Sequence, residues 1–479
     1  MTVEPFLPVP AKGEEGLLQS RNRPFALLVF AICGLPLWIN PALTLSFDSV
    51  YLTPKILWIY AILLPCSLLL TWQLRKHLHQ FGVVFPVVGT WLFLMCLSAL
   101  INQNLWSNWW GAADRADGVL MHGVYAALLL TGIGYARLAD LHTQQRILST
   151  GLLVGSSLLA LTNIFQQVHL MGIPGEGAFT GVSATLFGGT LGNRGYMGGA
   201  LALLLPLAFS ATFKGGFPQR GMFIAVMLIT WALAGTFARG AWLAGALGLI
   251  WLAYWKRPKL REWLPIGLGL MIFTVVTLIF GNGRGTEGQA ITDSSGRSVL
   301  WRSALIGIQQ KPLLGWGSPA LWQVMNSRDA QTLLHENGTQ NITAIQKRND
   351  DPRSAPSFYV THTDGSRERV DFTINKVHNE YLDYALTYGI PAALLFIVLI
   401  SRSIWASRLI APGLSGAVVA YAAYLLTWPE VIRFAPIAWF IMGLALGASF
   451  RSKVRSCPPQ PSKNGMSNPK PSASARPQS

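Results

Sequence analysis

The chain has 479 residues, 51% hydrophobic and only 12% charged, with 37 Lys and Arg against 21 Asp and Glu. Soluble domains carry roughly a quarter charged residues, so these figures exclude an ordinary soluble enzyme. The formal net charge of +16 does not point to nucleic acid, because the excess lies in short loops between apolar runs and in the tails, where the positive-inside rule puts it.

The apolar residues gather into runs long enough to span a hydrocarbon core, which takes about 20 helical residues. The expected fold is an all-α polytopic membrane protein with twelve transmembrane helices and a large, partly helical extracytoplasmic loop between spans nine and ten. Cys33, Cys66 and Cys96 fall in or beside apolar runs and Cys457 in the tail, a pattern that is neither a disulfide framework nor a metal spacing.

In chain order, residues 1–22 are a mixed segment expected to be a disordered cytoplasmic tail, with the first span an uncleaved anchor. Residues 23–281 hold nine spans: 25–42, 55–74, 82–101, 119–136, 147–166, 196–213, 222–237, 239–255 and 263–281. Only Ala238 separates the seventh from the eighth, which reads either as one long helix carrying Arg239 or as two helices meeting at a tight turn. Residues 282–385 form the outer loop, and 386–451 hold the last spans at 386–401, 409–427 and 434–450. The Pro-, Ser- and Lys-rich stretch 452–479 is expected to be a disordered tail.

Orientation follows from alternate loops. One set carries fifteen cations, from Arg75-Lys76 through Lys256-Arg257-Lys259-Arg261 to Arg451, Lys453 and Arg455, against Asp140 and Glu262 as its acids. The other set is mixed: Asp48, Asp114-Arg115-Asp117, Glu176 with Arg194, and Glu430 with Arg433. This asymmetry predicts both termini in the cytoplasm.

The loop 282–385 balances eleven basic with eleven acidic residues. Within it Arg297–Gln309 reads as a helix ended by Lys311-Pro312. Asn337–Arg369 reads as irregular or as a short hairpin, and 375–385 as a helix running directly into the tenth span.

Candidate functional residues cluster at the outward ends of the spans. Arg239 stands between two apolar runs and beside Ala238 and Gly240, whose small size lets another group approach. An arginine there either anchors in headgroups or binds an anion, and its planar fork suits phosphate. Gly192-Asn193-Arg194-Gly195 opens the sixth span, where free backbone N–H groups and the helix dipole favour an anion. Arg297 and Trp301 share a helix face, so the arginine can stack on the tryptophan, with Arg302 beside them. His378-Asn379 precedes the tenth span; imidazole titrates near neutrality and can accept a hydroxyl proton, with Glu380, Asp383 or Asp371 available to orient it. Trp106, Trp109 and Trp110 before Asp114-Arg115 read as interfacial anchors that can also stack on sugars.

Five stations in this order resemble the O-antigen ligase and polymerase family of bacterial inner-membrane glycosyltransferases. They are Trp110-Gly111…Arg115…Gly118, Leu191-Gly192-Asn193…Pro206-Leu207-Ala208, Phe237-Ala238-Arg239-Gly240-Ala241-Trp242, Arg297…Trp301…Lys311-Pro312-Leu313-Leu314-Gly315-Trp316-Gly317, and His378-Asn379-Glu380-Tyr381-Leu382…Tyr388-Gly389. The chain departs from the family in having Arg194-Gly195 where Pro-Asn is usual, and Ala238 where a serine usually precedes the arginine.

The resemblance implies a metal-independent, inverting enzyme without a cofactor. Its donor would be a glycan on undecaprenyl diphosphate, and its acceptor a lipid or glycan hydroxyl at the periplasmic face of the inner membrane. It implies His378 and Arg239 as catalytic residues. Arg297, Arg194, Asn193, Asn379, Arg302 and Arg115 are the candidates for holding diphosphate or glycan. Ligase, polymerase and protein-glycosylating members remain alternatives, as does a bicarbonate-type transporter. Transporters place polar groups at mid-membrane, whereas the polar cluster here lies at one surface.

Overall fold

A computed structural model describes residues 14–41, 46–73, 82–102, 105–138, 141–168, 170, 187–213, 219–280 and 297–455. The first helix, α1 (Glu14–Gly34), ends in a 3-10 turn at Leu35–Leu37. It begins inside the segment expected to be disordered, because Glu14–Gln19 are strong helix formers apart from Gly16. It also stops short of the expected boundary at residue 42, where Pro36 favours a tighter turn. Residues 1–13 and 456–479 of the expected tails lie outside the described residues.

Helix α2 (Asp48–Gln73) contains a π-helical stretch at Ile59–Leu63 just before Pro65, which lacks the N–H that a regular helix would bond back. Then come α3 (Val84–Ile101), the short α4 (Leu105–Trp110), α5 (Val119–Leu138) and α6 (Leu141–Gln167). They are followed by α7 (Arg194–Ala211), α8 (Gln219–Gly235), α9 (Arg239–Lys256) and α10 (Leu264–Phe280). Each of the twelve apolar segments read from the sequence overlaps a helix, the tenth (386–401) being broken at Gly389. Among the described residues six helices are long and apolar enough to cross a membrane: Asp48–Gln73, Val84–Ile101, Val119–Ala136, Arg146–Gln167, Leu260–Phe280 and Ile390–Ser407. Shorter apolar helices cover Arg23–Leu37, Gln219–Gly235 and Ala435–Ala448.

The seventh and eighth segments are two helices. Thr236–Ala238 turns between them, with Phe237 in the left-handed region at φ 51°.

Residues 297–388 build a compact unit at one end of the bundle, called outer only because it lies beyond the bundle helices. It contains α11 (Arg297–Gln310), α12 (Ala320–Ser327) and α13 (Ala330–Glu336), then a three-stranded antiparallel sheet. The strands β1 (Ile342–Lys347), β2 (Ser357–His362) and β3 (Arg367–Asp371) replace the irregular stretch or hairpin read from sequence. Phe358, Val360 and Val370 point to one side and join Val324, Leu333 and Leu334 in a separate small core.

The expected helix over 375–385 is also corrected. Helix α14 (Glu380–Tyr388) starts only where Asn379 accepts from the Leu382 N–H at 3.2 Å. Gly389, at φ 92°, separates it from α15 (Ile390–Ser407). The chain ends with α16 (Pro412–Tyr424) and α17 (Ala435–Arg455).

The bundle closes through small residues, as membrane helices do where backbones approach. Helix α17 lies along α5 through Gly443-Leu444-Ala445-Leu446-Gly447: a Cβ on Gly447 would come within 2.6 Å of the Ile133 carbonyl oxygen, and one on Gly443 would collide with that of Leu129. Gly248 of α9 and Gly416 of α16 meet in the same way. Helix α7 is buried continuously from Gly195 to Phe209, so it is apolar all round and central.

Candidate functional site

Helices α7 and α9 both begin with an arginine, Arg194 and Arg239, at the end of the bundle that carries the outer unit. Asn193 caps α7, accepting from the Gly195 N–H at 2.7 Å. The Gly189–Leu191 turn that delivers this cap is held from below. Buried Lys55 donates to the carbonyls of Trp38 (2.5 Å), Tyr51 (3.1 Å) and Thr190 (2.9 Å), and Arg433 donates to that of Leu191 at 2.7 Å. Three carbonyl oxygens therefore satisfy the donors of the buried Lys55 amine.

The centre of the site is Trp428, in the turn between α16 and α17. The His378 ring stacks on its indole, centroids 5.4 Å apart and planes inclined by 26°. The Arg297 guanidinium carbon lies 5.9 Å from the same ring centre. Tyr196 meets the indole edge-on at 6.1 Å. Gly195 and Gly240, the residues after Arg194 and Arg239, also abut this turn. A Cβ on Gly195 would collide with the indole, and one on Gly240 would strike Thr427 and lie 3.5 Å from the Trp428 Cδ1. One ring thus touches the segments that carry Arg194, Arg239, Arg297 and His378.

His378 occupies the left-handed region at φ 56°, a conformation that costs a non-glycine residue on the order of 1 kcal/mol. Burial, followed by the charges of Arg115 and Arg297, lowers its pKa to about 4. The imidazole is therefore neutral at neutral pH. Burial and the Arg239 guanidinium likewise lower the Arg297 pKa from its ordinary value, which marks those two cations as neighbours. The Arg194 Nη1 and Arg297 Nε atoms are buried without a hydrogen-bond partner in the protein. Buried guanidinium donors normally find acceptors, so both are suited to an incoming anion.

Other sequence candidates have protein partners. Arg115 donates to the Tyr196 hydroxyl and to Asn375 Oδ1 at 3.2 Å and pairs with Asp114 at 3.3 Å, so it braces the site. Asn379 is the α14 cap, as Asn193 is for α7. Arg302 points away and pairs with Glu336 at 3.2 Å, its side chain 67% exposed. Arg297 lies over Trp428 rather than Trp301, which is partly exposed on α11. The three carboxylates proposed to orient His378 also have other partners. Asp371 accepts from Ser357 and pairs with Arg369, Asp383 binds Lys376 at 2.8 Å, and Glu380 accepts from the Glu430 N–H at 2.7 Å. Against the ring stands the indole instead.

Sequence reasoning passed over Trp428, Tyr196, Lys55 and Lys376. Trp428-Pro429-Glu430 did carry a signal, an aromatic, a proline and an acid in a short outer loop. The loop's partner in space, fifty residues upstream, had no local trace. Lys376 links Asp117 (2.7 Å) to Asp383 (2.8 Å), clamping the Arg115 loop beneath His378. Among the described residues no group of three or more His, Cys, Asp or Glu gathers as a metal cluster would.

Bundle and site together define a multi-helix membrane protein with arginines and a histidine gathered at one end. Residues 224–397 match the family model described as O-antigen ligase, the family whose motifs the sequence resembles. This is a family of membrane glycosyltransferases acting on lipid-linked glycans. The match spans Arg239, Arg297 and His378, while Arg115, Asn193, Arg194 and Trp428 lie outside it. A comparison with curated proteins found no match.

Proposed function

We propose that this chain moves a glycan from undecaprenyl diphosphate to an acceptor hydroxyl at the periplasmic face of the inner membrane, in the manner of an O-antigen ligase. The observation that carries the reading is the meeting of Arg297 and His378 on Trp428, with Arg239 close enough to perturb Arg297. The diphosphate leaves as an anion, and cations placed beforehand where charge develops stabilise that departure. Arg239 and Arg297 take this role, and Arg194 adds a third donor at the start of α7.

His378 takes the proton as the acceptor oxygen bonds to the anomeric carbon and the carbon–oxygen bond to diphosphate breaks. A base with a pKa near 4 is weak. Bound diphosphate offsets the neighbouring guanidinium charges and raises that pKa, so the imidazole becomes a better proton acceptor only when the donor is in place. Attack from the face opposite the leaving group inverts the anomeric centre.

The test is His378→Ala and Arg239→Ala, scored for surface glycan by gel and for folded protein by membrane abundance. Loss of glycan at normal abundance is expected, and unligated long chains in the mutants indicate ligase chemistry. Accumulated single repeats would move the assignment to polymerase, and normal glycan in both variants would refute it.

A further inference from the structure

We propose that Trp428 is the positioning residue of this site: its indole sets the direction of the His378 ring and the spacing of the helix ends that carry Arg194 and Arg239. The proposal rests on the functional reading above. Four segments distant in sequence converge on this side chain. His378 stacks at 5.4 Å, Arg297 lies 5.9 Å from the ring centre, and Tyr196 approaches edge-on at 6.1 Å. Gly195 and Gly240 leave no room for a Cβ against the Trp428 turn. The indole also lies parallel to Tyr424, planes within 4° and centroids 6.5 Å apart.

The turn itself is rigidly held. The Trp428 N–H donates to the Tyr424 carbonyl at 3.0 Å. Two residues on, Glu430 accepts from Trp439 Nε1 at 2.7 Å, from Tyr384 at 3.3 Å and from Tyr421. The Glu430 N–H donates to Glu380 at 2.7 Å, and the Glu380 N–H to the Leu425 carbonyl at 2.8 Å. The segment bearing Trp428 and the segment bearing His378 are therefore bolted together two residues from each side chain. A histidine held at φ 56° with an aromatic face against it has its ring direction restricted by that face. An orienting carboxylate serves this purpose in many sites; here a flat apolar surface does so without adding charge that would compete with a diphosphate for the arginines.

The experiment compares Trp428→Phe, which keeps an aromatic face, with Trp428→Leu, which keeps bulk but loses the face, using the full chain in lipid nanodiscs. In histidine-labelled protein, the His378 resonance is identified by its loss in His378→Ala. It is expected to carry an indole ring-current shift that the Leu variant abolishes. In transfer assays with a lipid-diphosphate glycan, kcat should fall on the order of 10²-fold in the Leu variant, the scale of an ångström-level misplacement of a catalytic group. The donor KM should change far less, and the Phe variant should retain most of kcat. Equal kcat in the Phe and Leu variants, or a His378 signal unmoved by Trp428→Leu, would overturn the proposal. Loss of folded protein in both variants would overturn it too, by making the indole a packing element. Equal transfer by wild type and His378→Ala would instead overturn the functional reading, leaving the ring-current result to decide the contact.

Discussion

Replacing Arg297 by Gln should raise the pKa of His378, and the structure sets the least size of the effect. The guanidinium carbon lies 5.9 Å and the imidazole centre 5.4 Å from the same indole centre. Guanidinium and imidazole are therefore at most about 11 Å apart, where one unit charge alters the energy of another by about 1.5 kcal/mol at an effective dielectric near 20. That is roughly one pKa unit, and any shorter separation makes it larger. The sign follows from charge: a neighbouring cation disfavours the imidazolium, so removing it makes protonation easier. From about 4 in the wild type, the value should rise to about 5 in Arg297→Gln. Burial, the larger cause, stays in place, so the pKa should remain below that of a free histidine. Titration of the His378 resonance in histidine-labelled chain measures this without requiring turnover. The acid limb of kcat/KM, which reports the free enzyme, should move in the same direction. Arg297→Lys should restore the wild-type value. An unchanged or lower pKa in Arg297→Gln would refute the electrostatic account of the site.

Arg302→Gln should leave transfer close to wild type, because its exposed guanidinium serves Glu336 instead of the site; loss of activity comparable to Arg297→Gln would contradict this placement. Lys376→Met should destabilise the chain by about 3–5 kcal/mol, as removing one partner from a buried ionic group does, since it strands Asp117 and Asp383. Thermal melting should detect the loss, and Lys376→Met with Asp117→Asn should recover part of it. Gly443→Val should abolish folded protein by forcing α5 and α17 apart, whereas Gly267→Ala, with open space around its Cβ position, should be tolerated or raise the melting temperature. Equal abundance of the two glycine variants would argue against the close α5–α17 contact.

The helices were legible because the apolar runs are bounded by charges or turn residues, and six of the described helices are long and apolar enough to cross a membrane. The break between α8 and α9 was legible only as one of two alternatives, since Thr236-Phe237-Ala238 contains neither glycine nor proline and the turn depends on Phe237 adopting φ 51°. The sheet was hidden for another reason. Its strands are five or six residues long, and β3 buries only Val370, so alternation is too brief to stand out. At the site, arginines at the ends of apolar runs and a histidine before a span are local anomalies that a single pass can find. Trp428 looks like one more interfacial tryptophan. Its importance comes from which segments meet it, and that is decided by helix packing rather than by neighbours in the chain. Asn193 and Asn379, read as site candidates from sequence, accept hydrogen bonds from the first turns of the helices they start.

Arg194 and Arg239 each occupy the first turn of a helix, where the backbone already presents about half a positive charge. Arg297 adds a third cation nearby. An anion bound there would offset the mutual repulsion of these cations. Occupancy and resistance to heat are consequently linked: stability rises with RT ln(1 + [L]/Kd) for any ligand that binds only the folded chain. Under the proposed function, a shortage of lipid-linked donor would leave not merely an idle protein but a more fragile one.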